Sequence, residues 1–409
     1  MTFTILHGNN LDILPTLPDN SVDSIVTDPP YELGFMGKKW DSSGIAYSVE
    51  LWTECLRVLK PGGHLLSFGG TRTFHRVAVA IEDAGFEIRD NIAWLYGSGF
   101  PKSLDVSKAI DKAAGAEREI LTESVTDLFG ERQENQIKTA GMGSGKTFGM
   151  LQAEGQNSQA AKSLEVSAPS TPEAQQWNGW GTALKPAHEP IIVARKPLEG
   201  TVAHNVLTHG TGALNIDGSR IGTDDNLNGG RYSDGKNEND SFVFGKGVNK
   251  RSKNDFEQPK GRWPANIIVD EHTAGLLDEQ SDASRFFYVA KASKRDRNEG
   301  LDDFPLRKSD TRSEIAAGIW SEMESAKQNF HPTVKPTALM EYLVKLVTPP
   351  NGTVLDPFTG SGSTGKAAIL NGFDFIGIEM TEDYLPIIKA RLQHAETEFA
   401  EADADKGLF

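Results

Sequence analysis

Val354-Leu355-Asp356-Pro357-Phe358-Thr359-Gly360-Ser361-Gly362-Ser363-Thr364-Gly365 reads as a buried strand, a glycine-rich turn and the start of a helix. Ile376-Gly377-Ile378-Glu379 follows as the next strand and ends in an acid. Glycines let the backbone approach a bound nucleoside closely, and the following acid can hold both ribose hydroxyls. Gly360, Gly362 and Gly365 even satisfy the G-x-G-x-x-G spacing, which on glycines alone suggests a dinucleotide fold. Against that, the strand ends in Asp-Pro-Phe, and no substrate domain suggests hydride transfer.

The surrounding chain alternates strands with helices. Near the N-terminus, Thr2–Leu6 and Ser24–Thr27 read as short buried strands. Val49, Trp52, Leu56 and Leu59 share helical spacing across 47–59, and Lys60-Pro61-Gly62-Gly63 stops that helix. His64–Phe68 is a strand, Phe74–Ala84 an amphipathic helix ending at Gly85, and Asn91–Leu95 another strand. The rhythm resumes late, with helix Thr337–Val347, strand Thr353–Leu355, helix Thr364–Leu370, strand Phe373–Ile378 and helix Glu382–His394. Such alternation predicts an α/β fold with a doubly wound parallel sheet, assembled here from both ends of the chain. The expected division is a catalytic half at 1–110, a partly flexible insertion at 111–179 and a return strand of the sheet at 180–200. A loop-rich module at 201–330, a cofactor half at 331–395 and an acidic tail at 396–409 complete it.

A second stretch carries chemistry. In Asp23-Ser24-Ile25-Val26-Thr27-Asp28-Pro29-Pro30-Tyr31 a buried strand delivers a carboxylate, two rigid prolines and an aromatic at its carboxyl end. Open α/β sheets bind ligands at that edge. Prolines fix φ and remove two N–H donors, so the loop presents acceptors. The Asp28 carboxylate and the Pro29 carbonyl can take both N–H bonds of an amino group while Tyr31 offers a stacking face. An aniline-like nitrogen is a poor nucleophile, and hydrogen bonds to both its protons stabilise the positive charge that develops on methylation. Asp-Pro-Pro by itself is also a common strand-ending turn.

Together the two sites resemble the DNA amino-methyltransferases of the β order, in which an Asp-Pro-Pro-Tyr loop precedes the glycine loop. Ser21-Val22-Asp23, Leu59-Lys60-Pro61-Gly62-Gly63, His188-Glu189-Pro190-Ile191 with Arg195-Lys196-Pro197, and His331-Pro332-Thr333-Val334-Lys335-Pro336 fit the same family. The resemblance covers roughly 1–110, 180–200 and 285–395. It implies a seven-stranded, permuted Rossmann-like sheet, S-adenosylmethionine as methyl donor, and a base flipped out of DNA toward Asp28, Pro29, Pro30 and Tyr31. It further implies that Asp356, Pro357, Phe358, Gly360 and Gly362 line the cofactor, that Glu379 holds its ribose, and that Lys335 and Pro336 border its pocket. Asn9 stands where the family often has an aspartate facing the cofactor adenine. The aspartate before Pro-Pro leans toward adenine N6 as the target, with cytosine N4 the close rival. A homodimer follows from the resemblance alone; a cytoplasmic setting, in a bacterial cell or a phage host, is the default expectation, and the role stays open among restriction-modification, phage self-protection and regulation.

Bulk properties narrow the alternatives. Cys55 is the single cysteine among 409 residues, which excludes disulfides within the chain and cysteine-rich metal sites and disfavours thiolate attack on cytosine carbon 5. The histidines at 188, 204, 209 and 272 lack H-x-x-x-H pairing, so no metal is expected. No apolar run approaches membrane-spanning length. The formal net charge of −15 opposes nucleic-acid binding, although part of it lies in the tail at Glu396, Glu398, Glu401, Asp403 and Asp405. Local basic clusters within 201–330 are the expected phosphate contacts: Lys246, Lys250, Arg251, Lys253 and Arg262, then Lys291, Lys294 and Arg295. Gly141-Met142-Gly143-Ser144-Gly145-Lys146-Thr147 imitates a phosphate loop but has Ala140 where that pattern needs glycine. A nicotinamide-dependent oxidoreductase, an RNA or protein-glutamine methyltransferase and an inactive DNA-binding protein are the competing classes.

Overall fold

The computed structural model describes residues 1–34, 39–97, 99, 103–122, 166–225, 227, 259–291, 295–305 and 328–406. Among them, Phe3–His7 (β1), Val22–Thr27 (β2), Leu59–Phe68 (β3) and Glu87–Leu95 (β4) come from the first hundred residues. Ile120–Thr122 (β5) and Val166–Ser167 (β6) form a small antiparallel pair apart from the main sheet. His188–Arg195 (β7), Ile267–Asp270 (β8), Tyr288–Ala290 (β9), Thr353–Asp356 (β10) and Asp374–Glu379 (β11) complete the set.

Nine of these strands form one sheet in the order β1-β11-β10-β2-β3-β7-β4-β8-β9. All neighbours are parallel except at β7, which runs antiparallel to both β3 and β4. Every residue of β2 is buried, as a central parallel strand covered on both faces demands. Alternate residues of the sheet face opposite layers. Val26, Leu66 and Val193 pack with helices Thr337–Val347 and Ser363–Leu370, while Ile25, Leu65 and Ile192 pack with helices Val49–Val58 and Phe74–Asp83. The Val49–Val58 helix shows how locally the sequence specifies this. Ser48 caps it by accepting the Leu51 N–H at 3.3 Å, and Leu51, Trp52, Cys55 and Val58 form its buried face. Burial pushes the Cys55 thiol well above its ordinary pKa, consistent with a packing role.

The chain leaves β10 through helix Ser363–Leu370 toward β11 and leaves β2 through helix Val49–Val58 toward β3, in opposite directions along the sheet. The β10–β2 junction is therefore the topological switch point, where a doubly wound sheet opens its crevice.

Two expectations differ from the structure. The sheet has nine strands, not seven, because β8 and β9 extend it beyond β4. The stretch 201–330 also does not stand apart. Its helix Val202–His209 is fastened to β3 by Asn205, whose Nδ2 donates to the Pro61 carbonyl at 2.8 Å. The Tyr288 ring of β9 stacks on Tyr342 at 4.1 Å. Within the short apolar islands of this stretch, β8 and β9 pair at the far end of the sheet, with the helix Glu271–Ser281 between them. Of the tail expected at 396–409, residues 396–406 continue the helix Leu385–Lys406. Among the described residues no helix is long and apolar enough to cross a membrane.

The glycine turn is held by close packing of the helix that follows it. A Cβ on Gly365 would lie 2.5 Å from the Phe375 ring, which is 1% exposed. Gly365→Ala is expected to cost roughly 1–3 kcal/mol, read as a lower urea midpoint at unchanged slope. An unchanged midpoint would show that the helix is free to shift.

Candidate active site

β2 and β10 pair with Ser24 opposite Val354 and Ile25 opposite Leu355. Their carboxyl ends therefore emerge side by side, and the Thr27 hydroxyl donates to Asp356 Oδ1 at 2.6 Å. A cavity of about 670 Å³ opens there, with Asp28 to Tyr31 on one wall and Asp356 to Ser361 and Glu379 on another. It is large enough for a nucleoside-sized ligand beside a second group.

On the β10–β11 wall, Gly360 has φ +55° and Gly362 φ +78°, the left-handed region that favours glycine. A Cβ on Gly360 would also meet His331 Nε2 at 2.9 Å. Glu379 accepts the Gly360 N–H at 2.8 Å and the Thr381 N–H at 2.7 Å, one on each carboxylate oxygen. Glu379 lines the cavity, and a carboxylate is a group that can accept both hydroxyls of a ribose diol. Burial raises the Glu379 pKa, with these backbone donors opposing. Burial likewise pushes Asp356 up to about 6, against the Thr27 and Phe358 hydrogen bonds. Asn9 lines the cavity, but its side-chain oxygen caps the helix Asn10–Ile13 by accepting the Leu11 N–H at 3.1 Å, which leaves the amide NH₂ to face a ligand.

The Asp28 wall is built on charge. Lys335 Nζ lies 2.9 Å from Asp28 Oδ2 and 3.0 Å from Glu189 Oε2. It also donates to the Tyr31 hydroxyl at 3.0 Å, and that hydroxyl donates to Glu189 Oε2 at 2.7 Å. The ammonium sits 4.7 Å from the Phe68 ring centre and 5.3 Å from that of Tyr31. Burial pushes the Asp28 pKa up while Lys335 pulls it back. Burial works against the Lys335 charge, but the two carboxylates more than reverse this and hold its pKa above the usual value. Among the described residues, Asp28 Oδ1 is buried without a hydrogen-bond partner.

The expected residues thus converge, with two changes of role. Lys335, expected beside the cofactor, places its ammonium on the Asp28 carboxylate. Glu189 was quoted only as part of a motif and given no role. Its one legible signal is a charge opening an otherwise apolar strand. Pro336 is the residue from which helix Thr337–Val347 starts, one step beyond the cavity wall. Of the expected DNA contacts, Lys246, Lys250, Arg251, Lys253 and Lys294 lie outside the described residues, as does the stretch 141–147. Arg262 is engaged within the fold, ion-paired with Asp225 and stacked 4.6 Å over Phe286. Lys291 is exposed at the end of β9, and the largely exposed Arg295 pairs with Glu299 at 3.3 Å. Glu299, His394 and Glu398 gather potential ligand atoms within 4.8 Å, a grouping the histidine spacing did not reveal. Lys366 Nζ already sits 2.5 Å from Glu299 there.

The DNA methylase family model, covering N6 and N4 enzymes, matches residues 22–121 and 157–390. The chain belongs to the N6/N4 DNA methylase family. Among similar curated proteins, the type II methyltransferase M.ScaI of Streptomyces caespitosus is 31% identical over 158 residues, 37% of this chain and 48% of that protein. The DNA adenine methyltransferase YhdJ of Escherichia coli is 44% identical over 71 residues, 17% of this chain and 24% of its own length. The chain thus spans about half the length of the first of these relatives and about a quarter of the second. The solved PvuII DNA methyltransferase (cytosine-N4-specific) aligns over 98% of this chain and 93% of its own at 13% identity and a TM-score of 0.43.

His331 offers a test of the site's pH response in this family member. Burial pushes its pKa down to about 4, and its Nδ1 lies 2.7 Å from the Thr333 carbonyl. A neutral ring facing a carbonyl must carry its proton on Nδ1. The unfolded chain protonates this histidine near pH 6.5 and the folded chain only near 4, so stability falls as pH drops through that window. The loss attributable to His331 is expected to be roughly 1–3 kcal/mol. His331→Gln should flatten the melting temperature between pH 6.5 and 4; an equally steep profile would place the titration elsewhere.

Proposed function

We propose that the chain is an S-adenosylmethionine-dependent DNA methyltransferase acting on the exocyclic amino group of a base flipped into the cavity, with adenine N6 as the target. The observation that carries this reading is Asp28 Oδ1, a buried acceptor without a partner among the described residues, on a residue that lines the switch-point cavity. An unpaired buried carboxylate oxygen costs free energy unless a donor reaches it. An amino group is such a donor.

The cavity residues fit the cofactor. Glu379 presents a carboxylate suited to a ribose diol, and the Gly360–Gly362 turn admits close backbone approach. Asn9, Phe358 and His331 line the same space. When bound, S-adenosylmethionine supplies an electrophilic methyl carbon on a sulfonium leaving group. Asp28 Oδ1 and the Pro29 carbonyl then serve as acceptors for the two amino hydrogens, drawing the nitrogen lone pair out of conjugation and opposing the positive charge that grows on nitrogen. Asp28 is also the base placed to take the proton that the methylated nitrogen must lose. Tyr31, its hydroxyl fixed by Glu189 and Lys335, offers its ring face to the base.

DNA follows as partner from the family, and Lys291, directly after the carboxyl end of β9, and Arg295 are the described basic residues that support phosphate contact. Aspartate ahead of the two prolines supports adenine, and the relative named as an adenine methyltransferase points the same way.

Incubation with unmethylated bacterial genomic DNA and labelled S-adenosylmethionine, followed by digestion to nucleosides, is expected to yield N6-methyladenine. Recovery of N4-methylcytosine alone would overturn the choice of base, and no transfer would overturn the reaction. Asp28→Ala should reduce transfer by ~10²–10³-fold, with cofactor binding retained in equilibrium dialysis. Because burial raises the Asp28 pKa, the wild-type rate should decline on acidification above the ordinary carboxylate range; a rate flat down to pH 4 would contradict this.

A further inference from the structure

The cluster around Asp28 holds two carboxylates and one ammonium, a net charge of −1 within a buried wall. Stability does not account for it. A single buried ion pair is close to neutral for folding once its desolvation is counted, and a third, unbalanced charge is unfavourable. An Asp28–Lys335 pair alone would be neutral. Glu189 is the residue that makes the wall anionic. Its Oε2 accepts from both Lys335 and the Tyr31 hydroxyl, so it also anchors the cation that holds Asp28 Oδ2. With Oδ2 held by Lys335, Oδ1 is the carboxylate oxygen that has no partner among the described residues.

We propose that Lys335 and Glu189 are positioning residues for Asp28: the ammonium fixes one carboxylate oxygen so that the other meets the target amine, and Glu189 supplies the excess negative charge that favours a nitrogen becoming positive. This rests on the methyltransferase reading and assigns Lys335 to the target side of the cavity, away from the cofactor.

The titratable groups facing Asp28 are Lys335 before helix Thr337–Val347, Glu189 at the start of β7, Tyr31 on its own loop and Asp356 at the end of β10. Lys335 lowers the Asp28 pKa and Glu189 raises it. The two substitutions therefore act in opposite directions. In single-turnover methylation at saturating cofactor, Lys335→Met is expected to move the acid limb of the pH–rate profile to higher pH. Glu189→Gln should move it lower and slow the plateau rate roughly 10- to 100-fold. Both variants should bind S-adenosylmethionine in equilibrium dialysis within about threefold of wild type, a small change on the scale of a direct contact. If Lys335→Met loses cofactor affinity but keeps the wild-type rate and profile at saturation, the lysine holds the cofactor and the proposal is overturned. Limbs that move together, or not at all, overturn it as well.

Melting of the cofactor-free protein supplies an independent arm. Lys335→Met leaves two carboxylates facing each other, so its melting temperature at pH 7 should fall, and adding Glu189→Gln should recover part of the loss. Additive losses would contradict the coupled cluster whether or not the protein methylates DNA. Absence of transfer by the wild-type protein, with the recovery intact, would instead count against the methyltransferase reading.

Discussion

The parallel pairing of β2 with β10 is the constraint on which the rest of the molecule depends. These strands lie some 330 residues apart in the chain, yet Ser24 faces Val354 and Ile25 faces Leu355. That register brings two loops to one edge of the sheet, the first ending in Asp28 and the second in Asp356. The crossovers leave in opposite directions, so the loops part and a cavity opens between them. Asp23 secures the opposite end of the same pair. It accepts from Lys60 Nζ at 2.5 Å and from the Thr353 N–H at 2.8 Å, which ties β2 to β3 and β10 below the site.

The antiparallel strand β7 has a matching consequence. Because it runs against its neighbours, its first residues stand at the same edge as the last residues of β2, and Glu189 reaches the Asp28 wall from a strand that starts there. Lys335 arrives from the segment that leads into helix Thr337–Val347. Three distant parts of the sequence thus supply one anionic cluster, seated against the Phe68 ring. The low-polarity surroundings make each interaction among these charges stronger and each unpaired oxygen more costly. A cavity wall built this way is better suited to binding a donor than to being left alone.

Much of the fold was legible because its elements carry strong local signals. The helix Thr337–Val347 has the bounds its apolar spacing predicts, and β10, β11 and the helix between them lie within a few residues of expectation, while the last helix runs on to Lys406. Strands β8 and β9 were harder. They are four and three residues long, and their burial comes from neighbours far along the chain. Asp28, Tyr31 and Glu379 could be named because each ends a recognisable buried strand or begins the loop after it. The role of Lys335 could not. A lysine between Val334 and Pro336 shows no preference for one wall of a cavity over another, and its partners are fixed only by tertiary packing. Glu189 was hidden for the same reason, and Asn9 is drawn partly into capping its own helix.

The account turns on which oxygen of Asp28 faces the target. A crystal structure of the chain with a duplex substrate and the demethylated cofactor would measure this directly. The expected result is an extruded base whose amino nitrogen lies within hydrogen-bond reach of Asp28 Oδ1 and the Pro29 carbonyl, with Lys335 still on Oδ2 and Glu189. A structure in which Lys335 has left Asp28 for the cofactor, or in which the amino group contacts neither acceptor, would contradict it.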